Sequence, residues 1–131
     1  MGFEFPWPVS TGGWLAFSSA AVTVLFGLLL LFAPRISLRL LRLQTTPEHP
    51  EALAESRATM AGFPLGLGLS CIVLDQPLVY LALGASWGFA VFGRIISMMS
   101  DGGNTLFNWF FTLVALVLAA LPLAMVFGFV P

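Results

Sequence analysis

The side chains able to do chemistry gather at a few points. Arg57 and Arg94 each border or end an apolar run, Ser97 lies one helical turn beyond Arg94, and Glu55 and Asp101 are close by in sequence. Guanidiniums and carboxylates so placed would form an ion-pair cluster; alternatively, the two arginines would bridge one lipid phosphate through charge-assisted hydrogen bonds. Ionisable groups at membrane depth are costly unless paired, so Arg57, Arg94, Ser97, Asp101 and Glu55 form the candidate polar or lipid-phosphate cluster. A second basic group, Arg35, Arg39 and Arg42, recurs at helical spacing and reads as an interfacial basic stripe.

Other reactive groups do not assemble. His49 is the single histidine and sits between Glu48 and Glu51 in the turn-forming stretch around Thr45 to Pro50. A metal needs several converging ligands, so this trio reads as a solvated turn, and no cofactor is expected. Cys71, the single cysteine, lies in an apolar run as a buried thiol, without a partner in this chain for a disulfide or a thiolate cluster. Ser18, Ser19 and Ser70 have no base in their own spans, so their hydroxyls are expected to bond back to their own helix or across to a neighbour. Asp75 is expected to cap the helix that follows Gln76. A proton relay there would need further carboxylates or histidines at intermediate depth, and the apolar runs supply none.

The elements that must position these groups are membrane helices. The 131 residues are 59% hydrophobic and 8% charged, with a mean hydropathy of +0.99, far from the composition of a soluble domain. A hydrocarbon core about 30 Å thick takes roughly 20 helical residues per crossing. The chain therefore reads as all-α, an integral membrane four-helix bundle forming a single membrane domain over 1–131. The spans fall at about 14–33, 58–74, 77–98 and 105–130. A net charge of −1 excludes the basic face that nucleic acid needs.

Pro34 closes the first span. Beyond it, Ile36, Leu40 and Leu43 fall on one face and the arginines on another, which predicts either a short interfacial helix in the first loop or a frayed continuation of span one. The positive-inside bias places the arginine-bearing connections on the cytoplasmic side and both termini, with the Asp75-Gln76 turn, opposite. Trp7 and Trp14 suit the outer interface and Trp109 the inner one.

Spans two and three flank the Asp75-Gln76 turn as a hairpin, which sets residues of similar distance from the turn at similar depth. Gly62 and Gly66 then face Gly84 and Gly88, a pattern that predicts close helix packing. Pro64 and Gly68 in the same span suggest instead a bent helix bordering a small cavity. The same rule sets Arg57 level with Arg94.

The segment Gly93-Arg94-Ile95-Ile96-Ser97-Met98-Met99-Ser100-Asp101-Gly102, with Arg57 opening a glycine-rich span, resembles the bacterial membrane family called domain of unknown function 4345. The resemblance covers most of the chain, from span one to span four. It implies a small four-helix architecture in the bacterial inner membrane and a functional surface around Arg57, Arg94, Ser97, Asp101 and Gly102, without naming a reaction. Residues and resemblance lead to one reading first: a noncatalytic accessory or scaffold protein whose partners are membrane lipids, another membrane protein or a second copy of itself. A small carrier of a lipid-like molecule comes second, with a lined pocket as its discriminator. A membrane enzyme with an inner-interface Arg/Asp site comes third.

Overall fold

The computed structural model describes residues 10–43, 54–100 and 105–128, and every regular element among them is helical. Helix α1 spans Thr11–Phe32. It begins before Trp14 because Ser10 caps it, its Oγ accepting from the Gly13 N–H at 3.0 Å. It ends at Ala33, which leaves the helical region (φ −129°, ψ 59°), as a residue preceding proline tends to do. Pro34 then opens α2, Pro34–Leu40, where its missing N–H would have had no helical partner anyway. The first loop thus holds a separate short helix, and α1 does not simply fray into it.

Helix α3, Ala61–Leu74, is preceded by a π-helical turn over Ser56–Met60. Pro64 explains the irregularity: it has no N–H to give the Met60 carbonyl, and its ring crowds that group. Helices α4, Pro77–Ser100, and α5, Leu106–Val126, complete the bundle. Thr105 caps α5 by accepting from the Asn108 N–H at 3.2 Å.

Thr11–Phe32, Arg57–Leu74, Pro77–Ser100 and Leu106–Val126 are each long and apolar enough to cross a membrane, so the molecule is a four-helix membrane bundle. Its large apolar side chains point outward freely: Phe63 is 75%, Leu78 78% and Leu106 89% exposed. In water such a surface would drive association; in hydrocarbon it costs nothing, and the helices must instead be held by close packing.

That packing corrects the expected pairing of glycines. α1 packs mainly on α3 and α4 mainly on α5, while α3 and α4, although joined by the Asp75 turn, touch sparingly. The tight α1–α3 contact uses Gly27, where an added Cβ would lie 3.0 Å from both the Ala61 O and the Leu65 N. It also uses Gly68, where one would meet the Ala20 O at 3.0 Å. Gly84 is also closely covered, but by Leu123 and Ala119 of α5. Gly62, Gly66 and Gly88 have open space where a side chain would be. A short turn forces two helices to be neighbours at one end only, and here the better-fitting partners lie on α1 and α5.

Candidate functional site

Two constellations arise from this arrangement, one at the basic end of the bundle and one deep within it. At the basic end, Arg94 of α4 reaches across to α5. Its Nη1 donates to Asn108 Oδ1 at 2.8 Å, and its Cζ lies 5.2 Å from the centre of the Phe111 ring. Asn108 is fixed from both sides, since its N–H is the one Thr105 receives and its carbonyl accepts from Thr112 Oγ1 at 2.6 Å. Phe111 in turn lies 4.6 Å from Phe107, and Phe107 carries the Arg42 guanidinium 4.4 Å above its centre. Two cations and two rings thus tie α4, α5 and the end of α2 together by cation–π attraction. Beside them opens a groove of about 600 Å³ lined by Leu40, Arg42, Leu106, Phe107, Phe110 and Phe111.

Arg42 is not the third member of a helical stripe. Arg35 and Arg39 are exposed on α2, but the helix stops at Leu40 and Arg42 takes a left-handed backbone, φ 59°. Its N–H donates to the Arg39 carbonyl at 3.0 Å, and the Leu43 N–H donates to the Leu38 carbonyl at 2.7 Å. These are the paired bonds of a left-handed helix stop, a position glycine usually fills.

Of the expected cluster around Arg57 and Arg94, Arg94 finds its partners on α5 instead. Arg57 and Glu55 are exposed beside the π turn, and neither forms an ion pair or hydrogen bond with Arg94, whose partners come from α5. The reason is the separation of α3 from α4, which removes the shared face. Ser97 is half-buried on α4 and takes no part in the Arg94–Asn108 bond. Asp101 and Gly102 lie outside the described residues, as do Trp7, Glu48, His49 and Glu51. Among the described residues, no group of three or more His, Cys, Asp and Glu side chains could hold a metal.

Deep in the bundle, the gap between α3 and α4 is a groove of about 580 Å³, open at its side. Phe26 and Thr23 of α1 form its floor, Gly62, Phe63, Gly66, Leu67 and Ser70 one wall, and Ser86, Trp87 and Ala90 the other. Of its polar groups, Thr23, Ser86 and Trp87 are engaged with the fold, Ser86 through its bond to the Ala82 carbonyl at 2.7 Å, and Ser70 carries an exposed hydroxyl. Trp87 Nε1–H donates to Thr23 Oγ1 at 2.8 Å, and Thr23 donates to the Ser19 carbonyl at 2.8 Å. Ser19 donates to the Leu118 carbonyl of α5, Oγ to O 2.6 Å. This chain links α4, α1 and α5 at mid-depth and holds Trp87 edge-on to Phe26, 5.9 Å between ring centres. Apart from Thr23, Ser70, Ser86 and Trp87 the lining is apolar, and Gly62 and Gly66 keep the groove open by having no side chain.

Residues 13–126 match the family model described as Domain of unknown function (DUF4345). The chain belongs to that family. No curated protein and no solved structure matches it. The DUF4345 match thus identifies the fold unit without supplying an activity, and the chemistry rests on the geometry alone.

Sequence reasoning missed Thr23, Trp87 and Asn108 in this DUF4345 chain. The signal was there in part: an indole N–H or an amide in an apolar run must find a partner. Which helix supplies that partner is a matter of packing. Two of the three serines followed the simpler rule, Ser18 bonding back to Trp14 O at 2.9 Å and Ser19 reaching across to α5, while Ser70 faces the groove with neither bond. Cys71 is buried and free, its thiol 3.5 Å from the Val79 carbonyl.

Proposed function

We propose that this DUF4345 chain is a noncatalytic protein of the bacterial inner membrane, with both termini periplasmic, that binds a lipid-like molecule and acts as an accessory or scaffold subunit. The α3–α4 groove carries this reading. It is open sideways and lined almost wholly by carbon, and the hydroxyls of Thr23 and Ser86 and the Trp87 indole are already bonded within the fold. Such a surface offers a bound molecule no acid or base, and its one unengaged hydroxyl, Ser70, has no base beside it among the lining residues; it suits an acyl or isoprenoid chain, which needs only shape and dispersion contact. The arginines lie at one end, where they would orient the bundle by the positive-inside bias.

A carrier role is the second reading, favoured by the π turn and Pro64 directly beside Gly62 and Phe63. Irregular helix of this kind recurs at functional sites and can flex locally.

The test is Gly66→Leu, whose Cβ would meet nothing within 4 Å and whose branched end would fill the groove. Protein reconstituted with an acyl-chain lipid bearing a photoreactive diazirine should crosslink at Phe63, Leu67 and Trp87. The variant should lose those crosslinks while melting at the same temperature. Equal crosslinking in both proteins would sink the groove reading. Facilitated lipid movement between leaflets of protein-containing vesicles, lost in Gly66→Leu, would select the carrier over the static binder.

A further inference from the structure

We propose that Arg42 and the groove between α2 and α5 form a site for one anionic phospholipid of the surrounding bilayer, the phosphate on Arg42 and an acyl chain along Phe107 and Phe110. This site is separate from the α3–α4 groove, and neither reading depends on the other.

Three observations meet at Arg42. Its backbone is left-handed, at the position of a helix stop where glycine would be free of strain. A turn that served only to end α2 would be better made by glycine, so the side chain is what the arginine contributes. Second, that side chain is exposed, and its guanidinium lies over the Phe107 ring, Cζ 4.4 Å from the ring centre. The ring contact holds the fork in place, and among the described residues its N–H donors have no hydrogen-bond partner. Among the described residues no carboxylate, Glu55 and Asp75 included, pairs with it. Third, the adjoining groove of about 600 Å³ is lined by Leu40, Leu106, Phe107, Phe110 and Phe111 besides Arg42 itself.

A cation at one end of an open apolar channel matches an amphiphile with an anionic head. Arg94 is a positioning residue, committed to Asn108 and to the Phe111 ring on which Phe107 leans. A free phosphate would use the guanidinium alone and leave the apolar channel without a role.

The experiment uses the full chain in nanodiscs of equal parts phosphatidylcholine and phosphatidylglycerol, followed by native mass spectrometry of the lipid retained on release. The native protein should retain phosphatidylglycerol over phosphatidylcholine about fivefold, the factor expected for one basic residue acting on an anionic headgroup. Arg42→Gly should bring the ratio near one with an unchanged or higher melting temperature, and Arg42→Gln should do the same while keeping the left-handed strain. An equal retention of both lipids by the native protein would overturn the proposal, as would a preference that survives in either variant. Displacement of the retained lipid by millimolar inorganic phosphate would also overturn it, because the chain in the groove should outlast a competitor for the head alone. The ratio reads headgroup preference and is insensitive to what occupies the α3–α4 groove.

Discussion

Two glycines two residues apart on α3 should respond in opposite ways to the same methyl group. At Gly68 an added Cβ would lie 2.7 Å from Val24 Cγ2, 3.0 Å from the Ala20 carbonyl oxygen and 3.3 Å from the Val24 nitrogen. Val24 can rotate away, but the Ala20 carbonyl belongs to the backbone of α1, so the methyl must push the two helices apart. Overpacking of this sort costs roughly 1–3 kcal/mol, against which alanine recovers at most about 1 kcal/mol of helix propensity over glycine. Gly68→Ala should therefore destabilise the bundle by about 1–2 kcal/mol. At Gly66 nothing lies within 4 Å of the same atom, so Gly66→Ala should be neutral or stabilising by up to about 1 kcal/mol. The assay is reversible unfolding in mixed micelles, titrated with a denaturing detergent and followed by helical circular dichroism. The two midpoints should move apart, that of Gly68→Ala falling. If Gly66→Ala falls as far as Gly68→Ala, then Gly66 is covered by another helix and the open α3–α4 groove is wrong. If neither moves, the close α1–α3 approach is wrong.

The Trp87–Thr23 bond predicts an asymmetry. Trp87→Phe removes a donor and leaves Thr23 bonded to the Ser19 carbonyl, at about 0.6 kcal/mol, the mean for an interhelical bond in a membrane. Thr23→Val leaves the indole N–H unsatisfied at roughly 1–3 kcal/mol; equal losses in the same unfolding assay would refute the bond. Asp75 stops α3 rather than capping α4: it is left-handed (φ 49°), and its own N–H donates to the Cys71 carbonyl at 3.0 Å. Asp75→Gly should accordingly be tolerated, whereas Asp75→Val should destabilise by roughly 1–3 kcal/mol through backbone strain. Partial burial also pushes the Asp75 carboxyl above its ordinary range. The folded state then holds that proton more tightly than the unfolded one, so stability falls as pH rises from the ordinary carboxylate value through the raised one, and is level above it. Asp75→Asn should remove that slope from unfolding midpoints measured across mildly acidic pH.

The membrane character of this chain and its four crossings were legible in the residues themselves, because a bilayer reads length and polarity and little else. Apolar runs of about 20 residues can cross in only one way, and Pro34 and Thr105 set helix ends through local backbone geometry and capping that no neighbour need supply. The small helix after Pro34 belongs to the same class. Pairing was not legible. Lipid is as apolar as leucine, so hydrophobic pattern does not say which helix faces which, and the choice falls to shape and to a few hydrogen bonds. The short Asp75 turn suggested that Gly62 and Gly66 would meet Gly84 and Gly88. The folded bundle instead sets Gly68 and Gly27 in the α1–α3 contact, gives Gly84 to α5, and leaves Gly62 and Gly66 open to a groove. For the same reason Arg94 could be seen in the sequence as a residue in need of a partner, while Asn108 and Phe111 emerged as those partners only once α5 was laid against α4.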